Sequence, residues 1–355
     1  MLLSSFSYNG YGWSLKEMGN IGQANLLVGK NASGKTRTLK ALQRVVSILL
    51  MKPVEGDDRL VGATLTFRNS DDESWTMTYS FEMVKARVEK EELTVCGRTL
   101  IERDRMKAEL KGETVTPPND RLLVLVRRDR EAYPEIETLM EWAEGVTVVS
   151  CSDLNSGTSL RGLSNYVGPM PFGDLVKALS DDAKKIVMTE ARKLGYRVSS
   201  LNTIHANSEL NLVAVKEENV PEMLVDFQLS NGMLRVLYIL CFLEYVKTRA
   251  GQRTLLIDDL GEGLDYNRAT LLGRKVFEIC EQEGVQLIAS SNDSFMMDVV
   301  DISMWQIVRR EDKTLKVMNQ TTEPELFKRF RMTGLSNFDL FSSDFIDNFL
   351  ARGKE

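Results

Sequence analysis

Apolar and polar positions alternate with period two in several stretches of the chain and recur with helical period in others. Residues 4–8 alternate, Asn9-Gly10 is a turn signal, and 11–15 resume the pattern. Residues 1 to about 28 are therefore expected as β-structure ending in the apolar run Leu26-Leu27-Val28. Leu39, Leu42, Val46 and Leu49 follow at helical spacing, which predicts a helix with one core face. Residues 62–67 and 74–81 alternate again, split by the polar stretch 69–73, as antiparallel strands do. Charged residues and Pro117-Pro118 predict a surface loop over 102–120. The short apolar run 122–126 is expected as a strand, and it enters the basic cluster Arg127, Arg128 and Arg130.

In the second half, helices are expected over 135–144 and 181–194, the latter starting after Ser180 and stopping at Gly195. Strand signals return at 196–204 and 210–215. Residues 233–246 are the most apolar helical stretch, but Arg235 and Glu244 interrupt it and it is too short to span a bilayer. Thr254-Leu255-Leu256-Ile257 and Val285-Gln286-Leu287-Ile288 read as strands. Phe338, Phe341, Phe345 and Phe349 fit the core face of a C-terminal amphipathic helix. No repeat, heptad run or low-complexity tract appears.

Composition narrows the class. With 43% of its 355 residues hydrophobic, the chain is globular, with core enough for one large or two smaller domains. A net charge of -6 argues against a surface that is basic throughout and binds nucleic acid everywhere, while leaving local basic patches open. Cys96, Cys151, Cys241 and Cys280 are scattered without a CxxC pair, which points away from structural zinc and disulfides and fits a reducing cytosol. The N-terminus lacks a basic start and an unbroken apolar segment, so a soluble cytoplasmic chain is expected, with no membrane partner.

Candidate chemistry begins at Gly29-Lys30-Asn31-Ala32-Ser33-Gly34-Lys35-Thr36, which fits GxxxxGK[ST] between a predicted strand and a predicted helix. In such a loop the backbone N–H groups and the helix N-terminus attract phosphate oxygens, the lysine reaches the β- and γ-phosphates, and the Thr36 hydroxyl is placed for Mg²⁺. Arg37 follows directly and belongs with this nucleotide-binding set.

Three later segments appear in a meaningful order. Leu229-Ser230-Asn231-Gly232-Met233-Leu234-Arg235 precedes the long apolar helix and resembles the LSxGxxR signature of ABC-type ATPases, although a helix cap by Ser230 or Asn231 would explain it equally. Asp258 and Asp259 end an apolar strand and are followed by Leu260-Gly261-Glu262-Gly263-Leu264-Asp265, which looks like a Walker B strand with its D-loop. Val285 to Asp293 reads as a strand and switch loop, with Asn292 where that family normally has histidine.

The chain thus resembles ABC-type ATPases of the RecF, SMC and OLD group, small AAA-family ATPases among them. That resemblance implies an α/β fold with a central mixed sheet, an antiparallel side sheet and a helical lobe bearing the signature. It implies ATP and Mg²⁺ as cofactors. Thr36 and Asp258 would hold the metal, and Lys35, Asp259, Asn292 and Glu262 would serve catalysis. Ser230, Gly232 and Asp265 would complete the site of a second copy, making a homodimer or higher oligomer with ATP at its interface. Asp259 stands where glutamate is usual, which implies slow hydrolysis. A long coiled coil is absent, and too few residues follow Asn292 for the nuclease domain of OLD proteins.

Residues 1–130 are expected as an N-terminal ATPase lobe, 131–215 as a mainly helical insertion, 216–320 as the C-terminal ATPase lobe and 321–355 as tail helices. The tail Gly334 to Phe341, with Trp305 and Arg309-Arg310, is similar to small bacterial anti-phage ATPases encoded beside a second protein, such as those of PARIS and Septu. This implies a switch subunit controlling a separate toxin or nuclease effector. A RecF-like DNA-repair clamp, with DNA as partner, and an ATP-binding scaffold without turnover are the alternatives. Tyr11 and Trp13 stand where transporter-type members place a ring on adenine, and strand packing accounts for them as well. The lone His205 matches no family position.

Overall fold

A computed structural model describes residues 1–53, 59–69, 72, 74–154, 170–206, 211–337, 339–342 and 345–352. The chain opens with β1 (Leu2–Gly10) and β2 (Trp13–Met18), an antiparallel hairpin, followed by β3 (Ala24–Val28) and α1 (Lys35–Leu49). The turn falls two residues later than Asn9-Gly10 suggested. Asn9 and Gly10 pair with Ser14 and Trp13, and Gly12 supplies the positive φ of 86° that a two-residue turn requires.

Six antiparallel strands follow: β4 (Leu60–Arg68), β5 (Thr76–Val84), β6 (Arg87–Val95), β7 (Arg98–Asp104), β8 (Lys107–Leu110) and β9 (Glu113–Val115). Three of them occupy much of the stretch 98–120, so the expected loop over 102–120 is corrected. Each hairpin from β5 onward turns on two residues, and non-glycine residues take the left-handed conformation: Lys85 and Ala86, Cys96, Arg105, and Lys111. Only Gly97 and Gly112 announce such turns in the sequence.

The run 122–126 is also corrected, from strand to the short helix α2 (Leu123–Val126). Its first amides are captured by a side chain distant in sequence: Leu123 N and Val124 N donate to the Glu91 carboxylate at 2.6 and 3.1 Å. Glu91 in turn faces its cross-strand neighbour Arg103, with both side chains fully buried and Nη1 to Oε2 3.6 Å apart, and accepts from Tyr79 Oη at 3.1 Å. Arg103 donates onward to the backbone carbonyls of Arg105, Pro118 and Arg121. This cluster joins the antiparallel strands to the chain that returns to the second half of the fold.

That half contains α3 (Pro134–Gly145), β10 (Val146–Ser150), α4 (Phe172–Ala178) and α5 (Asp181–Lys193). A separate three-stranded sheet follows, β11 (Val198–His205), β12 (Asn211–Glu217) and β13 (Met223–Val225). Next come α6 (Asn231–Lys247), β14 (Thr254–Asp258), α7 (Tyr266–Gln282), β15 (Gln286–Ser290), α8 (Ser294–Val299), β16 (Trp305–Glu311) and β17 (Thr314–Met318). The tail carries α9 (Pro324–Arg331), α10 (Asp339–Ser342) and α11 (Phe345–Arg352). Phe345 and Phe349 pack on the core, Phe345 edge-on to Phe330, while Phe338 and the Phe341 side chain lie outside the described residues.

One large mixed sheet runs β10-β14-β15-β3-β16-β17-β2-β1-β4-β5-β6-β7-β8-β9. Its first five strands are parallel and buried on both faces: Leu26, Ile257 and Leu287 enter the core under α4 to α7, whereas Leu27, Leu256 and Ile288 enter the core under α1 and α3. Such double cover explains why these strands read as unbroken apolar runs. The fold is mixed α/β, and among the described residues no helix is long and apolar enough to cross a membrane.

Candidate nucleotide site

β3 delivers the glycine-rich loop and α1 leaves it. Ala32 (φ 63°) and Gly34 (φ 110°) take left-handed conformations, and a Cβ on Gly29 would lie 2.5 Å from Ser33 Oγ and 2.6 Å from the Val308 carbonyl oxygen. The tight curl brings the buried Lys35 ammonium over the loop, where it donates to the Gly29 carbonyl at 2.7 Å and the Lys30 carbonyl at 3.4 Å. Burial pushes the Lys35 pKa down, and the nearby charges of Asp259 and Asp258 act against that shift. Ser33 Oγ is buried within the loop and has no hydrogen-bond partner. An orphaned hydroxyl inside a cradle of this kind fits a phosphate oxygen.

The carboxylates arrive at the C-terminal end of β14, next to α1. Thr36 Oγ1 donates to Asp258 Oδ1 at 3.1 Å, and Ser290 Oγ donates to the same oxygen at 2.6 Å. One carboxylate beside a hydroxyl fits Mg²⁺ arriving with a nucleotide, because that ion takes one or two carboxylates and retains waters. Among the described residues no group of three or more His, Cys, Asp or Glu side chains is arranged to hold a metal by itself.

Asp259 adopts φ 56°, unusual for a residue other than glycine, and is held there from both sides. Its N–H donates to Ser290 Oγ at 2.9 Å, and its Oδ1 accepts from Asn292 Nδ2 at 2.9 Å. Burial raises its pKa to about 6, with Asp258 and Glu262 adding to the rise and Lys35 and Arg235 opposing it. Glu262 is exposed; its carbonyl accepts from Arg235 Nη1 at 2.8 Å, which ties α6 to the loop after β14. Ser290 and Ser291 join the site although the sequence reading assigned them no role. The available signal was their position at the end of a parallel strand beside the phosphate-loop strand, where ligands gather in α/β sheets.

Asn31, Ala32, Gly34, Lys35, Thr36, Arg37 and Asn292 line a cavity of about 730 Å³ together with Trp13 and Tyr8. Gly29, Lys30 and Ser33 line an adjoining cavity of about 300 Å³, closed by Arg309 and Asp347. Tyr11 takes no part and lies exposed beneath Arg59. Ser230, Gly232 and Asp265 are outside both linings. Ser230 Oγ caps α6 by accepting from Met233 N at 3.3 Å, and Asp265 caps α7 and pairs with Arg268 at 2.7 Å. The basic cluster is largely neutralised within the chain, Arg128 by Glu137 and Glu144 and Arg130 by Glu141. His205 ends β11 opposite Asn211, remote from both linings.

No family model matches the sequence, and no curated protein matches it. Among solved structures, an SMC head bound to the C-winged helix domain of ScpA superposes with a TM-score of 0.56 at 14% identity, covering 90% of this chain and 97% of that one. An SMC head with an extended coiled coil, bound to the C-terminal domain of ScpA derived from Pyrococcus furiosus, gives 0.54 at 13% identity over 93% and 99%.

The chain has an SMC-head-like fold. The longest helices of this SMC-head-like chain among its described residues, α6 and α7, each have 17 residues, and both pack on the sheet rather than leaving it as a coiled coil.

Proposed function

We propose that this chain is an ATP-binding, slowly hydrolysing ABC-type ATPase that works as a nucleotide-controlled switch in the cytoplasm. The observation that carries this reading is the direct hydrogen-bond chain joining Thr36, Asp258, Ser290, Asp259 and Asn292 beside the phosphate loop. The loop N–H groups, Ser33 and Lys35 hold the triphosphate, and Thr36 and Asp258 hold Mg²⁺. When bound, that ion neutralises charge on the β- and γ-phosphates. Asp259 orients and deprotonates the attacking water, and Asn292 fixes the rotamer of Asp259.

Ser230, Gly232 and Asp265 lie outside the cavity of their own chain, and the exposed start of α6 suits an anion. They serve a second copy, head to tail. Residues 1–130 and 216–320 are the two ATPase lobes of this arrangement, 131–215 the inserted lobe and 321–355 the tail. Lys35→Ala and Ser230→Arg chains are each expected to be inactive alone and to regain turnover when mixed, because a mixed dimer keeps one intact site. Failure of the mixture to hydrolyse ATP, with both variants folded, counts against the shared site.

Asp259 also sets a pH dependence. Its pKa of about 6 means that the ionised base is lost as pH falls through that value, so turnover per bound ATP drops below about pH 6. The stability sign is opposite. A raised carboxyl pKa favours the fold at low pH, and that contribution is lost as pH rises through about 6. Asp259→Asn is therefore expected to abolish turnover while raising Tm at pH 8, with the gain shrinking towards pH 4. Thermal melts at both pH values check this.

The narrower role is that of a sensor in an anti-phage defence complex, acting on a separate toxin or nuclease. It rests on the tail's sequence resemblance and on the presence of ATPase machinery without an effector among the described elements. Both solved SMC heads carry a bound piece of a partner protein, which supports protein partners here. Pull-down from the native operon with and without ATP tests it, and recovery of no neighbouring gene product would overturn it.

A further inference from the structure

The 730 Å³ cavity beside the phosphate loop is more cationic than a triphosphate requires. Lys35, Arg37, Lys40, Arg44 and Arg310 line it, and no carboxylate does. Lys35 answers the β- and γ-phosphates in the reading above, on which this inference rests. Four cations remain.

Their placement is ordered. Arg37, Lys40 and Arg44 fall at i, i+3 and i+7 of α1, so they share one face of the helix. At 1.5 Å per residue they stand roughly 3, 7.5 and 13.5 Å along the axis from Lys35. The row therefore extends the cationic lining of the cavity along α1, beyond the phosphate loop itself. Two of these cations are engaged by the aromatic wall of the cavity. Arg37 lies 5.3 Å from the centroid of Trp13, Trp13 packs on Tyr8 at 5.0 Å, and Arg44 hydrogen-bonds the Tyr8 hydroxyl. Among the described residues Lys40 has no ion-pair partner, and Arg310 spends its Nε on the Asp312 carbonyl at 3.0 Å. Like charges repel, so a cavity that gathers them beside a nucleotide loop is complementary to added negative charge. The aromatic wall supplies a surface for a base.

We propose that this cavity takes a nucleoside 5′-triphosphate whose ribose bears a further phosphate, with the triphosphate on the loop and the extra phosphoryl group held by Lys40 and Arg310. Two sources share that chemistry: a free nucleotide phosphorylated on its 3′-hydroxyl, and the triphosphorylated 5′ end of an RNA, whose first ribose carries the next phosphate.

Calorimetry on the full chain compares ATP, ATP bearing a 3′-monophosphate, and the triphosphorylated dinucleotide pppApA. One or both phosphorylated ligands should bind about tenfold or more tighter than ATP, the worth of one charge-assisted contact. Preference for the first alone identifies the free nucleotide, and preference for pppApA identifies the RNA end. Lys40→Ala and Arg310→Ala should each erase the preference and leave the Kd for ATP unchanged, whereas Lys35→Ala weakens all three ligands. Equal affinities for all three, with ATP binding still dependent on Lys35, overturn this inference alone. Binding of none of them overturns the nucleotide reading as well. Loss of ATP-dependent self-association in Lys40→Ala, with the ligand preference intact, would assign these cations to a second copy and overturn the proposal.

Discussion

Lys35→Ala is expected to abolish the proposed ATP turnover and to weaken ATP binding by about ten- to a hundredfold. Lys35 is 5% exposed and its ammonium is held over the Gly29 and Lys30 carbonyls, so it is preorganised where phosphate oxygens would collect. A hydrogen bond to a charged group contributes about 1.5–3 kcal/mol, which sets the loss in affinity. Turnover suffers further because charge building on the leaving phosphate loses one of the cations that would meet it. The variant should keep its fold, since Lys35 lines the cavity and belongs to neither hydrophobic core cluster. Equilibrium binding, steady-state hydrolysis and a circular dichroism melt on one preparation separate these effects. Undiminished turnover would remove the loop from the mechanism.

Arg103→Leu has the largest expected effect on stability, about 3–5 kcal/mol, a large share of the roughly 5–15 kcal/mol that holds a typical domain together. It leaves the fully buried Glu91 without its cation and strips three backbone carbonyls, of Arg105, Pro118 and Arg121, of their donor. Burial already pushes the Glu91 pKa up, against the bonds from Leu123, Val124 and Tyr79. In the variant the carboxyl should take up a proton, and the start of α2 should lose its anionic cap. A denaturant midpoint much lower than wild type, with nucleotide affinity little changed in the molecules that remain folded, is the expected pattern. A shift of under about 1 kcal/mol, the size typical of an exposed pair, would show the cluster to be incidental.

The same cluster explains where sequence pattern failed. Five consecutive apolar residues at 122–126 carry no periodicity, and what makes them helical is Glu91, an acceptor brought to Leu123 N and Val124 N by pairing across β6 and β7. Likewise the charged stretch around Arg98–Leu110 hides strands because its hairpin turns rest on Cys96, Arg105 and Lys111, which enter positive φ without a glycine at that position. Cross-strand pairing stabilises those conformations, and pairing is not a local property of sequence. By contrast, Leu26 to Val28, Leu255 to Ile257 and Leu287 to Ala289 were legible as buried strands. Each residue there packs on one or other face of the sheet, so no polar position interrupts the run.

Sequence by itself determined the local devices: the loop from Gly29 to Thr36, the acidic end of β14 at Asp258 and Asp259, the helix cap at Ser230, and the apolar strands beneath them. These depend on residue type at fixed short spacing, through glycine conformations, helix N-termini and burial on two faces. Tertiary structure alone decided which of them meet. It joined Thr36 to Asp258 across 222 positions and Asn292 to Asp259 across 33, recruited Ser290 as the link, and left Ser230 and Asp265 outside the cavity. Parallel strand order sets those meetings, because β14 and β15 line up beside β3 only when their crossover helices close over the sheet. It also aligned Arg37, Lys40 and Arg44 with Arg310 from β16, turning a phosphate loop into a longer cationic cavity.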